Sequence, residues 1–359
     1  MLIFIARRFG MMLLTAFVLT FVVFVLTNLQ PNLEKLARSE GSVRMSDEAV
    51  AAWIDQNGHG GPVLLRYGQW LGVVPGWVLV DEKGIARGRC FKAGDDPAAS
   101  PKYCGILQGN WGFSTFFKKD VLPSIGDKLA ATGILMLWVM IVMVPSALLI
   151  GVVAGMREGS RTDRVLSTFA IATTSTPEYV SGVVLVAMLA SPVVGLSPLL
   201  AQWGWIDGKT LFFGATSPDK INFWSFTLPV VTIALYGMGY IARMTRASMT
   251  EVMTAQYIRT ARLKGVSFGR IVMKHALRNA LIAPFTVIML QFPWLLNGVV
   301  IVETLFNYKG FGWTLVQAAG NNDINLLLAC SVVAVFVVLV TQLISDIGYV
   351  FLNPRIRIS

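Results

Sequence analysis

Three places in this sequence hold residue types whose spacing could do chemistry. G-W-I-D-G-K-T at 204–210 has the glycines, lysine and threonine of a phosphate-cradling loop, which would imply nucleotide hydrolysis. Such a loop needs four residues between its first glycine and the Gly-Lys pair, and only three separate Gly204 from Gly208. The stretch also lies between two apolar runs, on the face where no ATP is available. Nucleotide chemistry is therefore not expected in this chain. His59 and His275 fall on opposite sides of the apolar runs and cannot share a metal, and no Ser/His/Asp grouping or H-E-x-x-H helix is present. The expectation is no catalytic residue, no metal and no cofactor held by this chain.

The second place is T-S-T-P-E-Y-V, which sets Glu178 directly after Pro177 near the middle of an apolar run. A carboxylate at that depth costs a few kcal/mol unless it is paired or meets water. Two readings stand side by side. One is a group on a translocation path; the other is a protonated or hydrogen-bonded glutamate filling a helix break. Gln291 and Asn297 are weaker path candidates, because amides commonly join neighbouring membrane helices. Asp346 lies near enough to an inner end to pair with the terminal arginines. The third place is YIRTARLKGVSFGRIVMKHALRNAL at 257–281, with six cations (Arg259, Arg262, Lys264, Arg270, Lys274, Arg278) and no acid.

The elements that position these groups follow from composition. Of 359 residues 55% are hydrophobic and 14% charged, where a soluble domain carries about a quarter charged. Six runs are long enough to cross a bilayer, at about 9–29, 129–155, 165–191, 224–242, 281–302 and 326–350. The fold class is an all-α polytopic membrane protein with six transmembrane helices. The fourth span is the weakest, being short and carrying Pro229, Gly237 and Gly239. Residues 1–30 read as a retained signal anchor, since Phe9 to Leu29 exceeds a normal signal-peptide core and no small-residue cleavage site follows.

Orientation is set by Lys and Arg. One set of connections holds fifteen bases against Glu158, Asp163 and Glu251, whereas loop 30–127 holds eleven of each sign. The basic set is expected to be cytoplasmic, which puts both termini inside. The net charge of +10 thus reports orientation and argues against nucleic acid. Residues 31–127 form an enlarged external (periplasmic) loop region, and 128–359 a five-helix core carrying a cytoplasmic loop at 243–280. Ser46 and Asp47 start an amphipathic helix over 45–56, and Trp70, Trp77 and Trp111 suit a surface near headgroups. Cys90 and Cys104 lie on the oxidising side, where a disulfide is expected, with two free thiols as the alternative. Cys330 reads as a packing residue.

Within 243–281, Tyr257, Ala261 and Lys264 share a helical spacing and Gly265 can end that helix as a C-cap. Such a surface element holds anionic membrane lipid or docks a soluble partner. Here the sequence resembles the permeases of binding-protein-dependent ABC importers, specifically the dipeptide/oligopeptide B-type subunits. The likeness rests on YIRTARLKGVS…KHALRNAL, GPVLLRYGQWL, NWGFS, GVVAGMREGSRTDRVLS, STPEYVSG, VVIVETLFNYKGFGWTLVQAA and ISDIGYVFLNPRIR. The resemblance implies a type I ABC importer permease fold. It also implies a coupling helix at Tyr257, Arg259, Thr260, Ala261, Arg262, Lys264 and Gly265 that seats in a groove of an ATPase subunit. The general importer motif Glu-Ala-Ala-x-x-x-Gly keeps only its second alanine, Ala261, and its glycine, Gly265.

Implied partners are a second permease subunit, two ATP-binding subunits that hold ATP and Mg, and an external solute-binding protein docking on 30–127 and 303–322. Peptides are the modal cargo of such relatives, with nickel complexes, opines, glutathione and sugars also carried. The alternative of an ion-coupled secondary transporter calls for inverted repeats and paired broken helices, and neither is evident.

Overall fold

A computed structural model describes residues 2–80, 86–91, 95–96 and 99–352. The helices in chain order are α1 (Leu2–Thr27), α2 (Gln30–Glu40), α3 (Asp47–Gln56), α4 (Val63–Leu71), α5 (Val121–Met156), α6 (Arg161–Ser175), α7 (Glu178–Leu189) and α8 (Leu196–Gln202). They continue with α9 (Phe223–Thr254), α10 (Gln256–Leu263), α11 (Phe268–Arg270), α12 (Leu277–Ala280), α13 (Ile282–Leu305), α14 (Phe311–Gly320) and α15 (Ile324–Leu352). A π-helical stretch, Ile271–Ala276, joins α11 to α12. Two small antiparallel ladders complete the chain: β1 (Val78–Val80) with β2 (Ala86–Gly88), and β3 (Phe113–Ser114) with β4 (Lys119–Asp120).

Among the described residues four helices are long and apolar enough to span a membrane: Ala6–Thr27, Val121–Met156, Phe223–Thr254 and Ile324–Gly348. A bent pair, Phe268–Ala280 with Ile282–Gln291, angled by 51°, is long and apolar enough only when its two helices are taken together. The third expected span is not one helix. It breaks at Thr176 and Pro177, because Pro177 has no N–H to continue the ladder and forces the residue before it into extended backbone; Thr176 sits at φ −99°, ψ 119°. The fourth expected span is not short either. Helix α9 runs 32 residues, starting where the Asn222 side chain accepts from the Ser225 N–H at 3.0 Å and continuing well past the last apolar residue of the span.

The chain forms two compact units. One comprises Leu129–Trp313 with the two chain ends, through Phe9 and from Val337; the other comprises Gly10–Lys128 with Thr314–Phe336. In the first unit α9 is the central element, mostly buried along its apolar part, with α6, α7 and α13 packed on it. Small residues permit the close crossing: a Cβ on Gly239 would collide with the Ala170 carbonyl. Leu135, Val139 and Met143 of α5, Ile233 and Ile241 of α9, and Leu295, Val299 and Val302 of α13 form the core of this unit. Near the chain ends Arg8 pairs with Asp346 at 3.2 Å; Arg355 and Arg357 lie outside the described residues.

In the second unit Phe24, Leu33, Leu36, Tyr67, Trp70, Ile324 and Leu328 form the core. The Tyr67 ring meets Phe17, Phe21 and Phe24 edge-on, and its hydroxyl hydrogen-bonds Thr20 at 2.8 Å. Asp323 is buried and accepts from Ser114 Oγ at 2.6 Å, the Phe116 N–H and the Leu326 N–H. That carboxylate ties β3 to the first turn of α15, where negative charge suits the helix dipole. Cys90 and Cys104 are joined by a disulfide, and Cys330 is a buried free thiol.

Candidate functional site

The basic stretch 257–265 folds as an outward-facing ridge on a small core of its own. Ile258 is fully buried with Met249 of α9, Ile271, Val272 and Ala276 of the π stretch, and Ala280 of α12. Ile258 is the one buried side chain of α10. Asn279 Nδ2 donates to the Tyr257 hydroxyl at 2.9 Å and fixes the helix's other edge. The C-terminus closes as the glycine suggests. Gly265 takes φ +71°, its N–H donates to the Arg262 carbonyl, and the Val266 N–H donates to the Ala261 carbonyl at 3.2 Å. Those two bonds, together with packing of Val266 and Ala261 on the same core, make a Schellman stop.

What remains outside is informative. Arg259, Thr260, Arg262, Lys264 and Gly265 are all exposed, and no carboxylate forms an ion pair with these cations among the described residues. Leu263 is 81% exposed, with Phe268 and Met273 exposed close by in sequence. A surface mixing unneutralised cations with large apolar side chains is poorly served by water alone and suits a protein groove or headgroups.

A second cluster secures the same part of the first unit and is not among the groups singled out from sequence. Arg246 of α9 grips Asp163 of α6 with both arms, Nε to Oδ1 at 2.6 Å and NH2 to Oδ2 at 2.8 Å. Asp163 also accepts from the Gly159 N–H at 2.9 Å and from Ser167 Oγ at 3.0 Å. The Arg246 hydrogen bonds, helped by the Gly159 N–H, hold this carboxyl well below the usual carboxylate range. One signal was available: Ser160-x-x-Asp163 has the spacing of a capping box, and Ser160 Oγ accepts from the Asp163 N–H at 3.1 Å. Nothing local points to Arg246, which is 83 residues away.

Glu178 occupies the first turn of α7, where the aligned N–H groups favour an acid. Its carboxylate lies over the backbone of α13: a Cβ added to Gly298 would stand 3.0 Å from Glu178 Oε1. Gln291, Trp294 and Gly298 fall on one stripe of α13, three and four residues apart. Trp294 stacks on Tyr236 of α9 with centroids 4.5 Å apart, and Gln291 is buried. The side chain of Asn297 lies outside the described residues. The structure therefore brings Glu178 to the Gln291 stripe at a junction of α7, α9 and α13, and it places residues 257–265 in a separate cluster at the far end of α9.

A buried acid missed in the sequence is Glu303. It accepts from Thr132 Oγ1 of α5 and from the Trp313 N–H at 2.9 Å, while Thr132 Oγ1 itself accepts from the Phe311 N–H at 2.8 Å. Tyr308 donates to the Ala131 carbonyl at 2.8 Å. Phe306, Tyr308, Gly310, Phe311 and Gly312 are all buried. Packing therefore accounts for these five residues within the expected docking stretch 303–322, while Asn307, Lys309 and Asn321 stay exposed there. The nucleotide-loop lookalike at 204–210 runs through turns and extended chain with no helix opening after it, so it lacks the helix N-terminus that such a site uses.

A family model described as a binding-protein-dependent transport system inner membrane component matches residues 147–358. A di/tripeptide transport system permease protein of Pseudomonas aeruginosa is 30% identical over 366 residues, covering 99% of each chain. A probable peptide ABC transporter permease protein of Sinorhizobium fredii is 34% identical over 252 residues, or 70% of this chain and 77% of that one. A glutathione transport system permease protein of Escherichia coli strain K12 is 31% identical over 251 residues, covering 70% and 76%.

Proposed function

The chain belongs to the family of binding-protein-dependent transport inner-membrane components and is a multi-pass permease subunit of an ABC importer, and we propose from this that it carries peptides or a related small solute and receives an ATPase subunit on residues 257–265. Peptide cargo is supported by the peptide, di/tripeptide and glutathione transport named for its relatives.

The observation that carries the docking assignment is the Gly265-capped α10. One face is seated by Ile258 and the Tyr257–Asn279 bond, while Arg259, Thr260, Arg262 and Lys264 face outward. Ala261, small and half-buried, lets the helix lie close to its support. ATP and Mg are held by two partner subunits; their closure displaces α10, and its seat transmits that displacement to α9 and to the bent α12–α13 segment. Because α7 and α13 both pack on α9, the same motion reshapes the junction holding Glu178 and Gln291, with Asn297 on the same helix as Gln291. A second permease subunit completes the path and an external solute-binding protein delivers the solute. The basic connections face the cytoplasm, with both termini inside, and their cations also meet anionic lipid. No bond is made or broken in this chain, and no observation favours ion-coupled transport.

The test is affinity purification of the chain from its own membranes in mild detergent, with mass spectrometry of its companions. Recovery of ATP-binding chains and a second permease, lost from a Gly265→Pro variant that stays folded, is the expected result. A wild-type chain recovered alone and still transporting solute would overturn the reading.

A further inference from the structure

Among the described residues Arg66 is a buried cation without a counter-ion. It sits on α4 in the second unit at 8% exposure. Its NH1 donates to Asn28 Oδ1 at 3.3 Å, and its buried Nε meets no acceptor among the described residues. The group opens onto a cavity of about 270 Å³ lined by Arg66, Arg89, His59 and five side-chain amides, with no acid among the described lining residues. A neighbouring cavity that Arg66 also touches contains Glu34, Asp47 and Asp55, yet none reaches ion-pair distance of either guanidinium, and Asp47 is engaged by Arg38 at 2.7 Å.

Burying an ion without compensation is strongly unfavourable, so native chains pair such groups. Here no described carboxylate supplies the compensation, while the polar groups that would hold an anion are assembled. Two guanidiniums, five amides (Asn28, Asn57, Gln69, Asn110 and Asn325) and an imidazole line one cavity, with room for an oxyanion and attendant waters at ~30 Å³ each. Arg89 is held toward it by its own loop. Its Nε donates to the Cys104 carbonyl at 3.2 Å, and Cys104 is bonded to Cys90, the residue after Arg89. The disulfide thus has a definite local consequence, fixing the second cation of the cavity. Burial and the two neighbouring guanidiniums push His59 down to about 4, which leaves a neutral ring able to donate one hydrogen bond.

The cavity lies beside the ends of two apolar helices. Phe24 and Asn28 stand at the end of the α1 span, and Ile324 and Leu328 at the start of the α15 span, all lining the same cavity. Span ends lie at headgroup level, where tryptophans such as the cavity's Trp70 and Trp77 concentrate. The geometry points to an oxyanion-binding site on Arg66 and Arg89 at the external membrane interface, taking a phosphate-type group from a phospholipid headgroup or from free solution.

The test uses the purified full chain, with whatever subunits accompany it, in a phosphate-free neutral detergent at constant ionic strength. Its thermal unfolding midpoint is followed while inorganic phosphate is added, and separately while phosphatidylglycerol is added against diacylglycerol of the same chains. Wild type should gain roughly 3–6 °C at saturation, and Arg66→Met should gain nothing. Anion-free Arg66→Met should melt no lower than anion-free wild type, because it removes an uncompensated charge. Arg89→Gln, at a less buried position, keeps the test valid if Arg66→Met fails to fold, and should cut the gain at least by half. Gain with the phospholipid alone assigns a headgroup; gain with inorganic phosphate assigns a free oxyanion. No gain in wild type with either, or equal gain in both variants, would overturn the site.

Discussion

Breaking the Asp163–Arg246 grip should loosen the junction of α6 and α9 measurably. Two charge-assisted hydrogen bonds, each about 1.5–3 kcal/mol net, bound the pair at roughly 6 kcal/mol by that scale. Two facts lower the figure. The Arg246 side chain is 32% exposed, so part of its attraction is screened, and the Gly159 N–H and Ser167 remain on the carboxylate when Arg246 goes. Arg246→Ala should then cost about 2–3 kcal/mol, near or below the low end for removing one partner of a buried pair. Asp163→Asn should cost a similar amount. The double variant Asp163→Asn/Arg246→Met should fall short of the sum by more than ~1 kcal/mol. The assay is reversible unfolding of the purified chain in mixed micelles. A pH arm follows from the depressed Asp163 value. Its folded-state value lies below that of the unfolded chain, about 3.9, so the stabilisation is complete above that pH and fades as pH falls toward the folded value. A coupling energy under ~0.5 kcal/mol, or stability flat across that acid range, would refute the reasoning.

Gly265→Ala should cost about 1–2 kcal/mol through backbone strain alone, since no atom lies within 4 Å of the added Cβ while φ is +71°; Gly265→Asn should cost less in the same unfolding assay. Glu303→Gln should destabilise by about 1–3 kcal/mol, because both carboxylate oxygens accept hydrogen bonds and an amide sets one donor against a donor. Glu178→Gln should leave unfolding within about 0.5 kcal/mol yet lower solute uptake by reconstituted transporter severalfold; unchanged uptake would remove Glu178 from the path.

Much of the fold is legible in the sequence because apolar length is a direct measure of bilayer crossing, and a glycine at the end of a helical pattern is a direct sign of its stop. Gly265, at φ +71° just past the end of α10, behaves accordingly. Where legibility fails, the reason is that partners are remote. Pro177 is visible, but whether the run around it bends or breaks depends on which neighbours accept the freed carbonyls. In α9 the apolar stretch ends near Ala242, whereas the helix ends at Thr254. Thr245 and Met249, buried four residues apart, carry its packing beyond the apolar limit. Arg246 reads as one more orienting charge, and Glu303 as one acid in a glycine-rich turn, until the fold supplies Asp163 and Thr132. Arg66 is the sharpest case: its spacing in an amphipathic helix gives no hint that it is buried without an acid.

The central claim is that α10 is where this permease meets an ATPase subunit, and one cross-link tests it most directly. Leu263, 81% exposed, is replaced by cysteine, and the transporter purified with its companions is treated with a short thiol-to-amine cross-linker. The chain's other free thiol among the described residues, Cys330, is buried, so labelling reports position 263. The account predicts a single adduct of this chain with an ATP-binding subunit, whose yield changes when ATP is added. An efficiently labelled Leu263→Cys chain that forms no such adduct, in a preparation where the ATP-binding subunit is present, would contradict it.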